Sequence, residues 1–83
     1  MTTHRYRVVE ITDEDGQAYS QIRGVGHDEH GTPVSYSPGP AVPMATGEMP
    51  PIDELRAQVD AMRAALDEPV VSAAGLVMDG AGV

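Results

Sequence analysis

Five residue types are missing from these 83 residues: cysteine, lysine, asparagine, tryptophan and phenylalanine. The lack of cysteine rules out both a disulfide framework and a thiolate metal centre, so packing alone has to hold the fold together. The lack of lysine leaves five arginines against thirteen Asp and Glu, for a formal net charge of −8. Such a balance argues against direct nucleic-acid binding, because neutralising phosphates needs clustered cations. It argues equally against an anionic membrane surface. The only aromatics are three tyrosines. Long apolar runs are missing too, since nothing approaches the ~20 residues of a membrane span. Met1 to Val9 contains no apolar signal core, so the expected location is the cytoplasm, with no membrane contact.

At this length one domain is expected, burying only about 60 to 65% of its unfolded surface. We assign it to residues 1–71, with 72–83 as a Gly/Ala-rich C-terminal tail that contacts of Val70, Val71, Leu76 and Val77 with the sheet would hold in place.

Arg5 to Thr12 is rich in β-branched and aromatic residues and free of Gly and Pro, which predicts a first strand. It runs into Asp13-Glu14-Asp15-Gly16, where acidic residues suit a type I turn and Gly16 suits the left-handed position that closes a hairpin. In Gln17 to His27 the apolar residues Tyr19, Ile22 and Val25 break a period of two. A bulge near Gly24 would restore the register. Asp28-Glu29-His30-Gly31 repeats the first turn, and a short third strand, Pro33 to Ser37, follows with Val34 and Tyr36 on one face. Pro38, Pro40, Pro43, Pro50 and Pro51 then mark an extended crossing, along which Val42, Met44 and Met49 would pack.

The helix signal comes from Ile52, Leu55, Val59, Met62 and Leu66, whose alternating spacings of three and four place them on one face. Pro50 and Pro51 fit its first turn, Asp53 and Glu54 meet the positive end of its dipole, and Pro69 stops it. Arg56, Asp60, Arg63 and Asp67 on the opposite face are spaced for ion pairs. The expected fold is therefore α+β: a three-stranded antiparallel meander with one C-terminal helix packed on one face, βββα. Its expected core is Val9, Ile11, Ile22, Val25, Val34, Leu55, Val59, Met62 and Leu66.

Catalytic chemistry finds little foothold. Ser20, Ser35, Ser37 and Ser72 sit in no nucleophile elbow or triad, and no lysine exists to complete a phosphate loop. His27, Asp28, Glu29 and His30, with His4, are the densest set of potential metal ligands, but neighbours in a turn point in different directions. The Asp13 to Asp15 run lacks the loop length and distal ligand of a calcium site. We expect no enzyme activity, no cofactor and no metal. What remains is an acidic surface, attracted to basic ones, of which a nucleic-acid groove on another protein is a common kind.

The stretch Tyr6 to Val71, most of the chain, contains in turn Tyr6-Arg7-Val8-Val9, Asp15-Gly16, Ile22 to Val25, Asp28 to Gly31, Glu54-Leu55, Met62, Ala65-Leu66 and Pro69-Val70. In this order they resemble small acidic proteins of phages and prophages, and in particular anti-CRISPR inhibitors of type I systems. The departures are the reduction of strand aromatics to Tyr19 and Tyr36 and the added tail. The resemblance implies an inhibitor of host defence that binds a CRISPR effector subunit and blocks its access to DNA. A structural or assembly accessory of a phage or host complex is the alternative. The expected partner-binding residues are Asp13, Glu14, Asp15, Asp28, Glu29, Asp53 and Glu54, with Tyr19, Tyr36 or Tyr6 as anchors, on a monomer or weak dimer.

Overall fold

The computed structural model describes residues 2–79. In chain order these form β1 (Thr3–Thr12), β2 (Ala18–His27), β3 (Pro33–Tyr36), α1 (Pro51–Ala65), β4 (Val71–Ser72) and β5 (Val77–Met78). The class is α+β, but the sheet is five-stranded and mixed, in the order β4-β1-β2-β3-β5. The antiparallel meander expected from the sequence is its middle, and parallel pairs β1–β4 and β3–β5 close its sides. The helix is therefore followed by two strands rather than ending the fold. Strands of two residues leave no periodicity to read, which is why the sequence does not announce them.

Both hairpins follow from their acidic glycine turns. The Gly16 amide donates to the Asp13 carbonyl at 3.1 Å and the Gly31 amide to the Asp28 carbonyl at 3.0 Å. Gly16 and Gly31 hold φ values of 81° and 80°, where a Cβ is strained. In each turn the leading aspartate folds back on the backbone. Asp13 Oδ1 accepts from the amides of Asp15 and Gln17, and Asp28 Oδ1 from those of His30 and Thr32.

The sheet has to curl. A flat sheet of this order would set β4 and β5 about 19 Å apart, four strand spacings. Only residues 73–76 link them, and the Leu76 amide donates to the Ala73 carbonyl at 3.1 Å in a turn that uses Gly75 at φ 84°. Such a link spans roughly 15 Å at most. One C-terminal segment thus stitches both edges of the meander toward each other.

β1 and β2 pair in unbroken register from Thr3↔His27 to Thr12↔Ala18. The expected bulge near Gly24 is absent from this ladder, and the irregularity lies between Gly26 and His27, where β2 meets β3. The apparent break in period has another cause: the buried face of β2 is Arg23, Val25 and His27, two of which are not apolar.

Val9, Val25 and Met62 are buried as expected, joined by Ala65 and Val71. Ile11, Ile22 and Leu55 are only half-buried, and Val34, Val59 and Leu66 are exposed. The helix is rotated relative to its apolar stripe. Its packed side runs through Glu54, Gln58, Met62 and Ala65, and Gln58 lies about 100° around the axis from Val59. The reason is polar. The Gln58 side chain donates to the Met44 carbonyl at 2.6 Å and accepts from the Met44 amide at 2.7 Å, while Glu54 accepts from the Thr46 amide and hydroxyl at 2.9 and 2.6 Å. Two helix side chains one turn apart thus act as a strand for the proline-rich crossing. Val42, Met44 and Met49, expected to pack there, are exposed instead.

Gly26 sits where Ser35, Thr2 and His4 crowd the position a Cβ would take, whereas the nearest atom at Gly24 is 3.9 Å away. Gly26→Ala should cost about 1–3 kcal/mol through overpacking, lowering the melting temperature by at least about 4 °C. Gly24→Ala should leave it nearly unchanged. Equal melts for the two variants would show that the β2–β3 approach is looser than described.

Candidate functional site

β-strand alternation places Arg5, Arg7, Val9 on β1 and Arg23, Val25, His27 on β2 on one face, with Arg7 directly opposite Arg23. Three of the five arginines therefore share the concave side of the sheet, and Arg7, Arg23 and His27 are buried. Burying cations requires partners, and each guanidinium has them, although Arg7 Nε itself makes no hydrogen bond. Arg7 donates from Nη2 to the Pro69 carbonyl at 2.9 Å and from Nη1 to His27 Nε2 at 3.0 Å, and its Nε lies 3.5 Å from Glu68. Arg5 makes a two-point contact with the same Glu68, at 2.8 and 3.3 Å. Arg23 donates to Gln21 Oε1 and to the Ser37 carbonyl, and its guanidinium stands 5.7 Å from the Tyr36 ring centre.

The tautomer of His27 follows from this geometry. A guanidinium only donates, so Nε2 accepts and the ring proton resides on Nδ1, which is buried without a hydrogen-bond partner. Burial, and after it the positive charges of Arg5 and Arg7, hold the His27 pKa below its ordinary value. Glu68 is held low as well, first by its hydrogen bond from Arg5 and then by the charges of Arg7, Arg5 and His27. Sequence reasoning missed this network. The available signal was that Arg5, Arg7 and Arg23 fall at positions of one parity on paired strands.

The acidic residues singled out from the sequence divide into two groups. Asp13 and Asp28 are engaged in their turns, and Glu54 is buried, its carboxyl held below the usual range by the Thr46 hydroxyl and then the Thr46 amide. Glu14, Asp15, Glu29 and Asp53 are exposed, and among the described residues their carboxylates make no hydrogen bond or ion pair other than a 3.7 Å approach of Glu29 to His30. The two turns lie at opposite ends of the ten-residue β2, roughly 33 Å apart, so they do not form one patch. Tyr19 is 40% exposed, while Tyr6 and Tyr36 are half-buried.

The first turn has a distinct setting. β3 pairs with β2 only at Val25 to His27, and β4 pairs with β1 only at Val9 and Glu10. Every residue from Thr12 to Ser20 is exposed. The β1–β2 hairpin therefore extends past its neighbours as a two-stranded finger tipped by Asp13, Glu14 and Asp15, with Tyr19 on its flank.

His4 pairs with Gly26 and Thr3 with His27, so His4 and His27 lie on opposite faces of the sheet. Among the described residues no three His, Asp or Glu converge on a common point, and no pocket opens. No helix among them is long and apolar enough to cross a membrane. The chain matches no family model, no curated protein and no solved structure.

Protonating His27 would turn its Nε2 from acceptor to donor against a donating guanidinium and add a third charge beside Arg5 and Arg7. Because its folded pKa is depressed, the unfolded chain binds more protons below the ordinary value of 6.5. Stability is thus complete above pH 6.5 and falls as acid approaches the folded pKa. Glu54 and Glu68, depressed from 4.5, add their losses only at lower pH. Melting temperature should decline between about pH 6.5 and 5. In His27→Gln, which keeps an acceptor for Arg7 but cannot protonate, that decline should shrink. An identical decline in the variant would assign it to other groups.

Proposed function

We propose that this chain is a non-catalytic, acidic binding protein that covers a basic, nucleic-acid-binding surface on a protein partner. Its specific form is that of a phage or mobile-element inhibitor of a type I CRISPR effector complex, blocking access to DNA by steric and electrostatic occlusion. The observation that carries this reading is the sorting of charge. Arg7 and Arg23 are buried and Arg5 is bound to Glu68, while Glu10, Asp13, Glu14, Asp15, Glu29, Glu48, Asp53, Asp60 and Asp67 face outward. Arg56 and Arg63 are the other exposed cations, and the outward carboxylates outnumber them several-fold.

The finger is the element best shaped to enter a basic groove. Glu14 and Asp15 supply uncommitted carboxylates at its tip, and Tyr19 supplies the exposed aromatic. Tyr36 serves Arg23 and is less free to anchor a partner. Rim carboxylates mainly set association rate and salt dependence, whereas a buried aromatic sets lifetime.

Purified type I effector complex, incubated with this protein, should lose DNA binding. Association should slow as salt rises from about 0.05 to 0.5 M, over which the Debye length shrinks to a few ångströms. Joint replacement Glu14→Gln and Asp15→Asn should slow association by roughly tenfold without altering the fold, because neither side chain holds the turn. Tyr19→Ala should instead speed dissociation. An effector that neither binds the protein nor loses DNA in its presence would end the inhibitor reading. Binding indifferent to salt and to the neutral finger would replace electrostatic occlusion with apolar contact.

A further inference from the structure

The free finger has an edge as well as a tip. In an antiparallel ladder, facing residues alternate between pairs that exchange hydrogen bonds and pairs that do not. The Asp13 amide donates to the Gln17 carbonyl at 2.9 Å, which makes Ile11↔Tyr19 and Val9↔Gln21 bonded pairs and aims the backbone groups of Ala18, Ser20, Ile22 and Gly24 away from β1. Gly24 and Ile22 find partners on that side, their carbonyls accepting from the amides of Ser37 and Ala41 at 2.8 Å. Beyond Ala41 the proline-rich crossing leaves for α1, where Gln58 holds Met44. Among the described residues nothing bonds the amides and carbonyls of Ala18 and Ser20, and both residues are exposed.

Strand edges are ordinarily blunted by proline, a charge, a bulge or a covering segment. Gln17 to Ile22 has none of these: it holds no proline, no glycine and no charged residue, and its register with β1 is unbroken. The charge around it is of one sign. From Val8 to Ile22 the chain carries Glu10, Asp13, Glu14 and Asp15 and no cation. Glu10 faces Ser20 across the hairpin, on the opposite face of the sheet from Arg7 and Arg23. Its carboxylate is exposed and, among the described residues, belongs to no ion pair.

We propose, resting on the finger as the element that meets a basic partner, that this partner supplies an extended cationic segment, which adds to β2 as an antiparallel strand at Ala18 and Ser20. The residue facing Ser20 exchanges both of its backbone hydrogen bonds with it, and the residue two positions along does the same with Ala18. Facing side chains share a face, so the one opposite Ser20 lies in line with Ser20 and Glu10. Its Cα stands about 10 Å from that of Glu10, the sum of one wide and one narrow pair separation. An arginine or lysine spans that gap over the small Ser20 side chain and ends at the free carboxylate. The alternate residues of the segment fall on the other face, where Tyr19 covers an apolar side chain. Ala41 already occupies the Ile22 carbonyl and keeps the added strand short. A second copy fits this edge poorly, because reversal about Ser20 sets the two Glu10 side chains on one face with only serines between them.

The probe is a blocked pentapeptide, Thr-Val-Arg-Val-Thr, titrated into the whole chain and followed amide by amide by NMR. The amides of Ala18 and Ser20 should shift and exchange more slowly with water, whereas those of Tyr19 and Gln21, already bonded to β1, should keep their exchange rates. Saturation is expected by about 5 mM. A peptide with glutamine in place of arginine should bind about two- to fivefold more weakly, the scale of an exposed ion pair, and Glu10→Gln should remove that difference. Ser20→Pro deletes the central donor at an edge position where proline is tolerated. It should stay folded by circular dichroism and lose the peptide. No shift at that concentration, shifts centred away from Ala18 and Ser20, or equal binding by Ser20→Pro overturns the proposal. Protection of the same two amides that grows with protein concentration alone would give the edge to a second copy and overturn it as well. With effector complex, equal blockade of DNA by the parent and by Ser20→Pro would reject edge pairing and leave occlusion standing. Peptide pairing by a protein that leaves the effector untouched would reject the inhibitor and leave the edge.

Discussion

The fold depends on giving partners to one buried guanidinium. Arg7 points into the concave face of the sheet and reaches His27 across the first hairpin and Pro69 beyond the helix. A charge left unpaired in such a place costs several kcal/mol, more than the roughly 1.5–3 kcal/mol from fully burying any one Val or Met of this core. The end of α1 is consequently held where Pro69 and Glu68 meet β1. From there Val71 falls into register opposite Val9, and the stitch that curls the sheet begins.

A polar interior has consequences for the outside. With Arg7, Arg23 and His27 occupying positions that aliphatic residues fill in most sheets, little apolar volume is needed from the helix. The helix offers Met62 and Ala65 inward, and offers Glu54 and Gln58 to the backbone of the proline-rich crossing. Its most apolar line is thereby turned outward. The exposed ridge and the buried arginines are two results of the same arrangement.

The arrangement also separates charge. Arg7 and Arg23 are drawn inward to carbonyls and Gln21, and Arg5 is held by Glu68, whereas Arg56 and Arg63 share the outer helix surface with carboxylates that also line the turns and finger. A chain of net charge −8 thus presents most of its carboxylates to approaching molecules. Its two acidic turns, although identical in local geometry, differ in setting. One tips a free finger, and the other lies where β3 joins the sheet.

Local chemistry determined much of this protein by sequence alone. Two Asp-x-x-Gly turns dictated the hairpins because only glycine holds the left-handed position readily, and the prolines with the three-four spacing dictated the span of the helix. The exposed carboxylates of the finger were likewise legible, since turns favour acidic residues. The helix's orientation was not. Apolar spacing identifies a face that water disfavours, but the face that packs was chosen by Glu54 and Gln58 meeting backbone groups far away in sequence. Nor were β4 and β5, whose two residues each pair only because Arg7 and a four-residue turn bring them to the sheet edges. The interior of arginine and histidine was hidden for a related reason. A polar side chain on a strand reads as exposed until its hydrogen-bond partners, here as distant as Pro69, are brought into place by the tertiary fold.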